Sequence, residues 1–101
     1  MSPQAKPVII DLLEAGCAIA LSPGLDQLTL SPETRAVIES TPLDAAGIGF
    51  RSLLLPRAEA EALLEFFLTA GSFFSLHGNG EKSRACGEAV DNIRHGLWLA
   101  S

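Results

Sequence analysis

The residues whose types and spacing could do chemistry cluster in the second half of the chain. The first group is Gly78-Asn79-Gly80-Glu81-Lys82-Ser83-Arg84. Glycines running into a helix start, with a lysine and a serine in the first turn, can cradle a phosphate through backbone N–H groups. Gly78, Gly80, Lys82, Ser83 and Arg84 are the anion-binding candidates. The spacing is not that of a Walker loop, because Glu81 separates Gly80 from Lys82 and Ser75 stands where the first glycine belongs. An ordinary helix–helix loop is the plainer reading.

The second group is thiol and imidazole: Cys17, Cys86, His77 and His95. A nucleophilic cysteine needs a base within hydrogen-bond reach and an electropositive setting. Nine residues separate Cys86 from His95, about 13 Å of rise on one helix, too far for such a bond. Cys86 also falls on an apolar stripe, where a free cysteine behaves as a small hydrophobe. No pair has the close spacing of a zinc site, and no metal or other cofactor is implied. The third group is Glu59, Glu61 and Glu65, which read as the solvated face of an amphipathic helix. No catalytic residue is assigned, and the chain is read as noncatalytic; an anion-binding or Cys-dependent enzyme module around Gly78–Arg84 and Cys86 is the rival.

Composition narrows the classes further. Seven Lys+Arg oppose twelve Asp+Glu among 101 residues, for a formal charge of −5. The nearest approach to a basic cluster, Lys82, Arg84 and Arg94, is diluted by Glu81, Glu88 and Asp91. A DNA-binding regulator would need a basic face to displace counterions, so nucleic acid is disfavoured as a partner. With 48% hydrophobic residues the chain is too apolar for disorder, and one domain over 1–101 with a loose start at 1–5 is expected. Two distant cysteines suit a reducing compartment, the apolar stretch Val8–Leu13 is interrupted by Asp11, and no run is long enough for a membrane span. The expected location is the cytoplasm, with no membrane association.

Mean hydropathy is +0.29, high for so small a domain, and a partner surface is the natural outlet. Phe66, Phe67, Phe73, Phe74, Leu76 and Trp98 form an apolar excess in the second half. Phe66, Phe73 and Phe74 are the candidates there for contact with a second copy or another protein, since aromatics concentrate at interface hot spots.

The elements that must position these groups follow from periodicity. Pro7 opens a predicted helix with Val8, Ile9, Leu12 and Leu13 on one face, ended by Gly16. Cys17–Leu21 and Leu25–Leu30 read as strands joined at Ser22-Pro23-Gly24, a hairpin. Ser31-Pro32-Glu33 is a strong helix start, and Pro42 stops that helix early. Ile48–Leu55 reads as a third strand, though a short apolar run is equally compatible with buried helix. Pro56 opens a helix with its stripe at Ala60, Leu63, Leu64, Phe67 and Leu68, which Gly71 ends or bends. A last helix spans about 81–95 with Cys86, Ala89, Val90 and Ile93 inward, and Gly87 marks a close helix contact. The expected class is α+β: a small two- or three-stranded antiparallel sheet packed against about four helices, in the order α-β-β-α-β-α-α.

The run Leu12-Leu13-Glu14-Ala15-Gly16, then Ile19-Ala20-Leu21, Leu28 and Leu30-Ser31-Pro32-Glu33-Thr34-Arg35-Ala36-Val37-Ile38 resembles the TubC-type N-terminal docking domains of modular peptide and polyketide synthetases. The likeness covers about residues 8–41. It implies a noncatalytic, often dimeric module whose exposed hairpin captures a short acidic or amphipathic tail by strand addition. The contact residues it implies lie between Ala18 and Leu30, chiefly Ile19, Leu21, Leu25, Leu28 and Leu30. The arm before Ser31 is shorter than in that family, and Pro42 stands where the family's second helix would continue. The resulting expectation is a protein-interaction domain, using a hairpin edge or an apolar helical surface. One form would be an acidic inhibitor or adaptor of the kind phages and mobile elements carry, anti-CRISPR proteins among them.

Overall fold

The computed structural model describes residues 6–21, 30–43 and 49–101. Within them the order is β1 (Val8–Leu13), α1 (Glu14–Leu21), α2 (Pro32–Ser40), β2 (Phe50–Leu55), α3 (Arg57–Leu76) and α4 (Gly80–Leu99). The class is α+β, with a two-stranded antiparallel sheet and four helices. The expected order is corrected at the start of the chain, where helix and strand exchange places. Val8–Leu13 is a strand, because Val8, Ile10 and Leu12 alternate into the core while Ile9 and Asp11 face out. Its three β-branched residues at 8–10 favour that extended form. The alanine-rich stretch after it is α1, begun by Glu14, whose charge suits a helix N-terminus. Gly16 therefore lies inside a helix and does not end one. The hairpin expected at 17–30 is not formed by Cys17–Leu21; the second arm, Leu25–Leu30, falls outside the described residues except Leu30, which is in no regular element. Ile48 also lies outside them.

The later elements stand close to expectation. Ser31 caps α2, its hydroxyl accepting the Thr34 N–H at 3.2 Å, and Pro32 occupies the first turn. α3 runs through Gly71 without a break. Its 20 residues bury Ala60, Leu63, Phe66, Phe67, Ala70 and Phe74. α4 buries Cys86, Ala89, Val90, Ile93 and Gly96, and extends past His95 to Leu99. Between α3 and α4 the chain reverses through Gly78, whose φ of 71° is open to glycine without strain.

Two contacts hold the layers together. α4 packs along β1, and it comes so close at Gly96 that a Cβ there would collide with the Ile9 carbonyl oxygen. The intimate glycine contact lies there, and not at Gly87, where an added Cβ meets nothing within 4 Å. The second contact joins α3 to the start of α2. Glu59 accepts hydrogen bonds from the Ser31 and Thr34 hydroxyls, both at 2.6 Å. Glu59 is thus a tie between helices, correcting its reading as a solvated acid. Glu61 does pair locally, with Arg57 at 3.1 Å.

Opposite outcomes are expected at the two glycines. Gly96→Ala forces α4 off β1 and should cost about 1–3 kcal/mol, the usual range for overpacking. Gly87→Ala removes an exposed mid-helix glycine and should stabilise by about 0.5–1 kcal/mol. Urea denaturation of both variants checks the signs, and equal effects would refute the assigned contact. Glu59 offers a pH test. Donation from Ser31 and Thr34 holds its carboxyl below the ordinary glutamate range. A lowered folded-state pKa means the tie contributes fully above the unfolded value and is lost as pH falls through the folded one. Glu59→Gln should therefore flatten the acid limb of the stability curve below about pH 4.5.

Candidate protein-contact surface

No described group of side chains assembles nucleophile, base and acid. Cys86 is fully buried, and burial pushes its thiol pKa up. Cys17 is also buried; its thiol donates to the Leu12 carbonyl at 3.6 Å, and burial raises its pKa against the opposing pull of the Arg51 guanidinium. His77 is occupied locally, its Nδ1 2.8 Å from the Phe73 carbonyl and its ring stacked on Phe73. No three metal-ligating side chains come together among the described residues.

The glycine loop is a capped helix–helix turn. Asn79 accepts the Lys82 N–H at 3.2 Å through its side chain, and its carbonyl accepts the Ser83 N–H at 3.0 Å. The Ser83 hydroxyl donates to the Gly71 carbonyl on α3 at 3.3 Å. The Lys82 ammonium lies 5.3 Å over the Phe74 ring, while Gly78, Gly80 and Arg84 are exposed. Of the anion-binding candidates, Lys82 and Ser83 are thus engaged within the chain. An open cleft of about 450 Å³ beside this turn is lined by Ala18, Ile19, Phe74, Glu81, Lys82 and Ala85, among others, with no thiol or imidazole in its walls.

The apolar candidates are mostly interior. Ile19, Phe66 and Phe74 are buried, and Leu21, Leu30 and Phe73 are half-buried against the core. Leu25 and Leu28 lie outside the described residues. Within 63–76 the open apolar side chains are Leu68 and Leu76, the latter projecting from the end of α3.

A different surface emerges from the strand that sequence periodicity assigned to a helix. In the sheet Val8 faces Leu55, Ile9 faces Leu54 and Asp11 faces Ser52. The Glu14 N–H donates to the Gly49 carbonyl at 2.9 Å, extending the ladder by its next hydrogen-bonded pair. The phase then makes Ile9–Leu54 a non-hydrogen-bonded pair, the kind whose side chains lie closest. Both stand on the face turned away from the core, 63% and 57% exposed. A sheet with one wet face ordinarily places polar residues there. This one carries Ile9, Leu13, Phe50 and Leu54 outward with only Asp11 and Ser52 between them, joined by a 2.7 Å hydrogen bond.

α4 extends that face. The same phase turns the Ile9 and Asp11 carbonyls toward the outer edge of β1. The Asn92 amide donates to Asp11 there at 2.8 Å, and Gly96 rests on Ile9. Leu99 follows Asn92 by seven residues and Gly96 by three, so it continues the stripe along that edge beside Ile9. Leu99 is 64% exposed. Ile9 and Leu54 thus form an exposed apolar pair across β1 and β2, and Leu99 falls on the α4 stripe that borders them. On the far side of β2, the Ser52 and Leu54 main-chain groups point outward with no hydrogen-bond partner among the described residues. Sequence analysis missed this surface because it requires β1 to be a strand; the outward Leu54 was the available signal.

Comparison with known family models, curated proteins and solved structures finds no match. Among the described residues no helix is long and apolar enough to cross a membrane.

The thiols give a direct check on the absence of an activated nucleophile. Both cysteines should react with Ellman's reagent far more slowly in the native protein than in urea, at a rate that follows chain opening. Rapid native labelling of Cys86 at neutral pH would contradict the burial described.

Proposed function

We propose that the chain is a noncatalytic protein-interaction domain, and that it binds through the outer face of its sheet. The observation carrying this reading is the exposed cross-strand pair Ile9–Leu54, with Leu99, also more than half exposed, on the bordering α4 stripe, beside a strand edge whose Ser52 and Leu54 main-chain groups have no partner among the described residues. An open edge is a template for strand addition, and neighbouring side chains on the same face select what docks. Absence of a convergent nucleophile–base pair among the described residues fits the same reading. So does a charge of −5, which suits an adaptor or inhibitor that occupies a basic surface of a larger assembly.

The docking role implied by the resemblance to TubC-type domains agrees with this proposal in kind. Its location differs, since β1–β2 takes the place of the hairpin expected between Ala18 and Leu30. Residues 31–40 keep the implied helix opening on Leu-Ser-Pro-Glu, whereas 8–21 form a strand and a helix.

Site-specific photo-crosslinking in the native host tests the proposal. A photoreactive residue at position 9, 54 or 99 should give one and the same discrete adduct, and a residue at position 61 or 65 on α3 should not. Absence of adducts from all three positions would sink the assignment.

A further inference from the structure

Resting on the proposed contact surface, the charges around it point to its occupant. We infer that this surface receives a basic amphipathic segment of another protein, apolar at one end and rich in Lys or Arg at the other. Asp11 lies two residues along β1 from Ile9, about 7 Å away. Glu14 follows at the start of α1. Glu88 stands one turn before Asn92 on the α4 stripe that borders β1. All three acids are exposed, and none has a cation within ion-pairing distance: the ion pairs of the described residues are Arg35–Glu39 and Arg57–Glu61. The nearest basic residue along β1 is Lys6, beyond the opposite, apolar end. The surface is therefore polarised, apolar over Ile9 and Leu54 with Leu99 bordering them, and negative over Asp11 and Glu14, with Glu88 beyond them and the exposed Arg84 one turn before it on α4. A helix laid along β1 advances about 5.4 Å per turn, so its basic residues belong one to three turns from its apolar anchors.

A second copy of this chain fits less well. A two-fold axis parallel to the strands would set two Asp11 carboxylates against each other, and any axis brings together molecules that each carry a charge of −5. Like charges set opposite one another disfavour that arrangement.

The probe is a dye-labelled synthetic helix with leucines in its first two turns and lysines in the next three, followed by fluorescence anisotropy. A control peptide carries glutamates in place of the lysines. The lysine peptide should bind in low salt and weaken steeply as salt rises. Leu54→Ser, and separately Asp11→Asn combined with Glu88→Gln, should each weaken it by about tenfold or more. Asparagine keeps an oxygen to accept the Ser52 hydrogen bond, so the sheet survives the change. Glu61→Gln with Glu65→Gln, on α3, should have little effect. Equal weakening by the α3 pair would reduce the binding to bulk charge and overturn the inference; so would equal binding of the glutamate peptide. A dimer in sedimentation that Leu54→Ser abolishes would assign the surface to a second copy and also overturn the inference. If positions 9, 54 and 99 still crosslink to a partner while the lysine peptide fails, the contact surface stands and only the basic occupant falls.

Discussion

The seating of α4 along the free edge of β1 is the contact on which the rest of this fold depends. Two strands alone make a marginal sheet in water. Here one edge of the pair is closed by a helix, through the Asn92 amide on the Asp11 carbonyl and the missing side chain of Gly96 over Ile9. That approach delivers Val90, Ile93 and Leu97 to the inner face of the strand, where Val8, Ile10 and Leu12 wait. It also sets where the molecule is finished and where it is open. One edge and one face of the sheet are used internally, and the other edge and face carry Leu54 and Ile9 to the surface.

The helical side is tied by polar chemistry at its rim. Ser31 both caps α2 and donates to Glu59, so a residue that starts one helix also registers it against another. Thr34, buried and polar, is tolerated because the same carboxylate takes its hydroxyl hydrogen. Arg51 is less complete: one guanidinium nitrogen reaches the Thr41 carbonyl, and Nε is buried without a partner. Groups with the greatest chemical potential are thereby consumed by structure. The thiols are interior, Ser83 is bonded to α3 and Asn79 caps α4.

These two features together shape the functional reading. Ile9 and Leu54 stand exposed on the outer sheet face, and Asp11, which has no ion-pair partner among the described residues, lies beside them. Such a surface is what the proposed contact role rests on. Its polarity, apolar toward Ile9 and acidic toward Asp11, is the basis for the orientation proposed for a partner.

How much of this was legible depended on whether local signals were unique. Ser31-Pro32-Glu33 can only open a helix, and it did. The long stripe from Ala60 to Phe67 and the Cys86–Ile93 stripe have one period, and both helices follow it. The run at β2 alternates faces as a strand does but is short enough to fit buried helix as well, and the structure made it a strand over Phe50–Leu55. Val-Ile-Ile-Asp-Leu-Leu, in contrast, satisfies two periods at once: 8, 9, 12 and 13 make a helical stripe, while 8, 10 and 12 make a strand face. Only pairing with Leu55, Leu53 and Arg51 on one side and α4 on the other decided for the strand. The aromatic candidates Phe66 and Phe74 carried no mark to distinguish core from surface, and packing placed them inside. The chain's own residues thus determined its class and the starts of α2, α3 and α4. Tertiary structure alone chose which apolar side chains stay in water, because exposure is settled by what each element packs against and periodicity reports only which residues share a face.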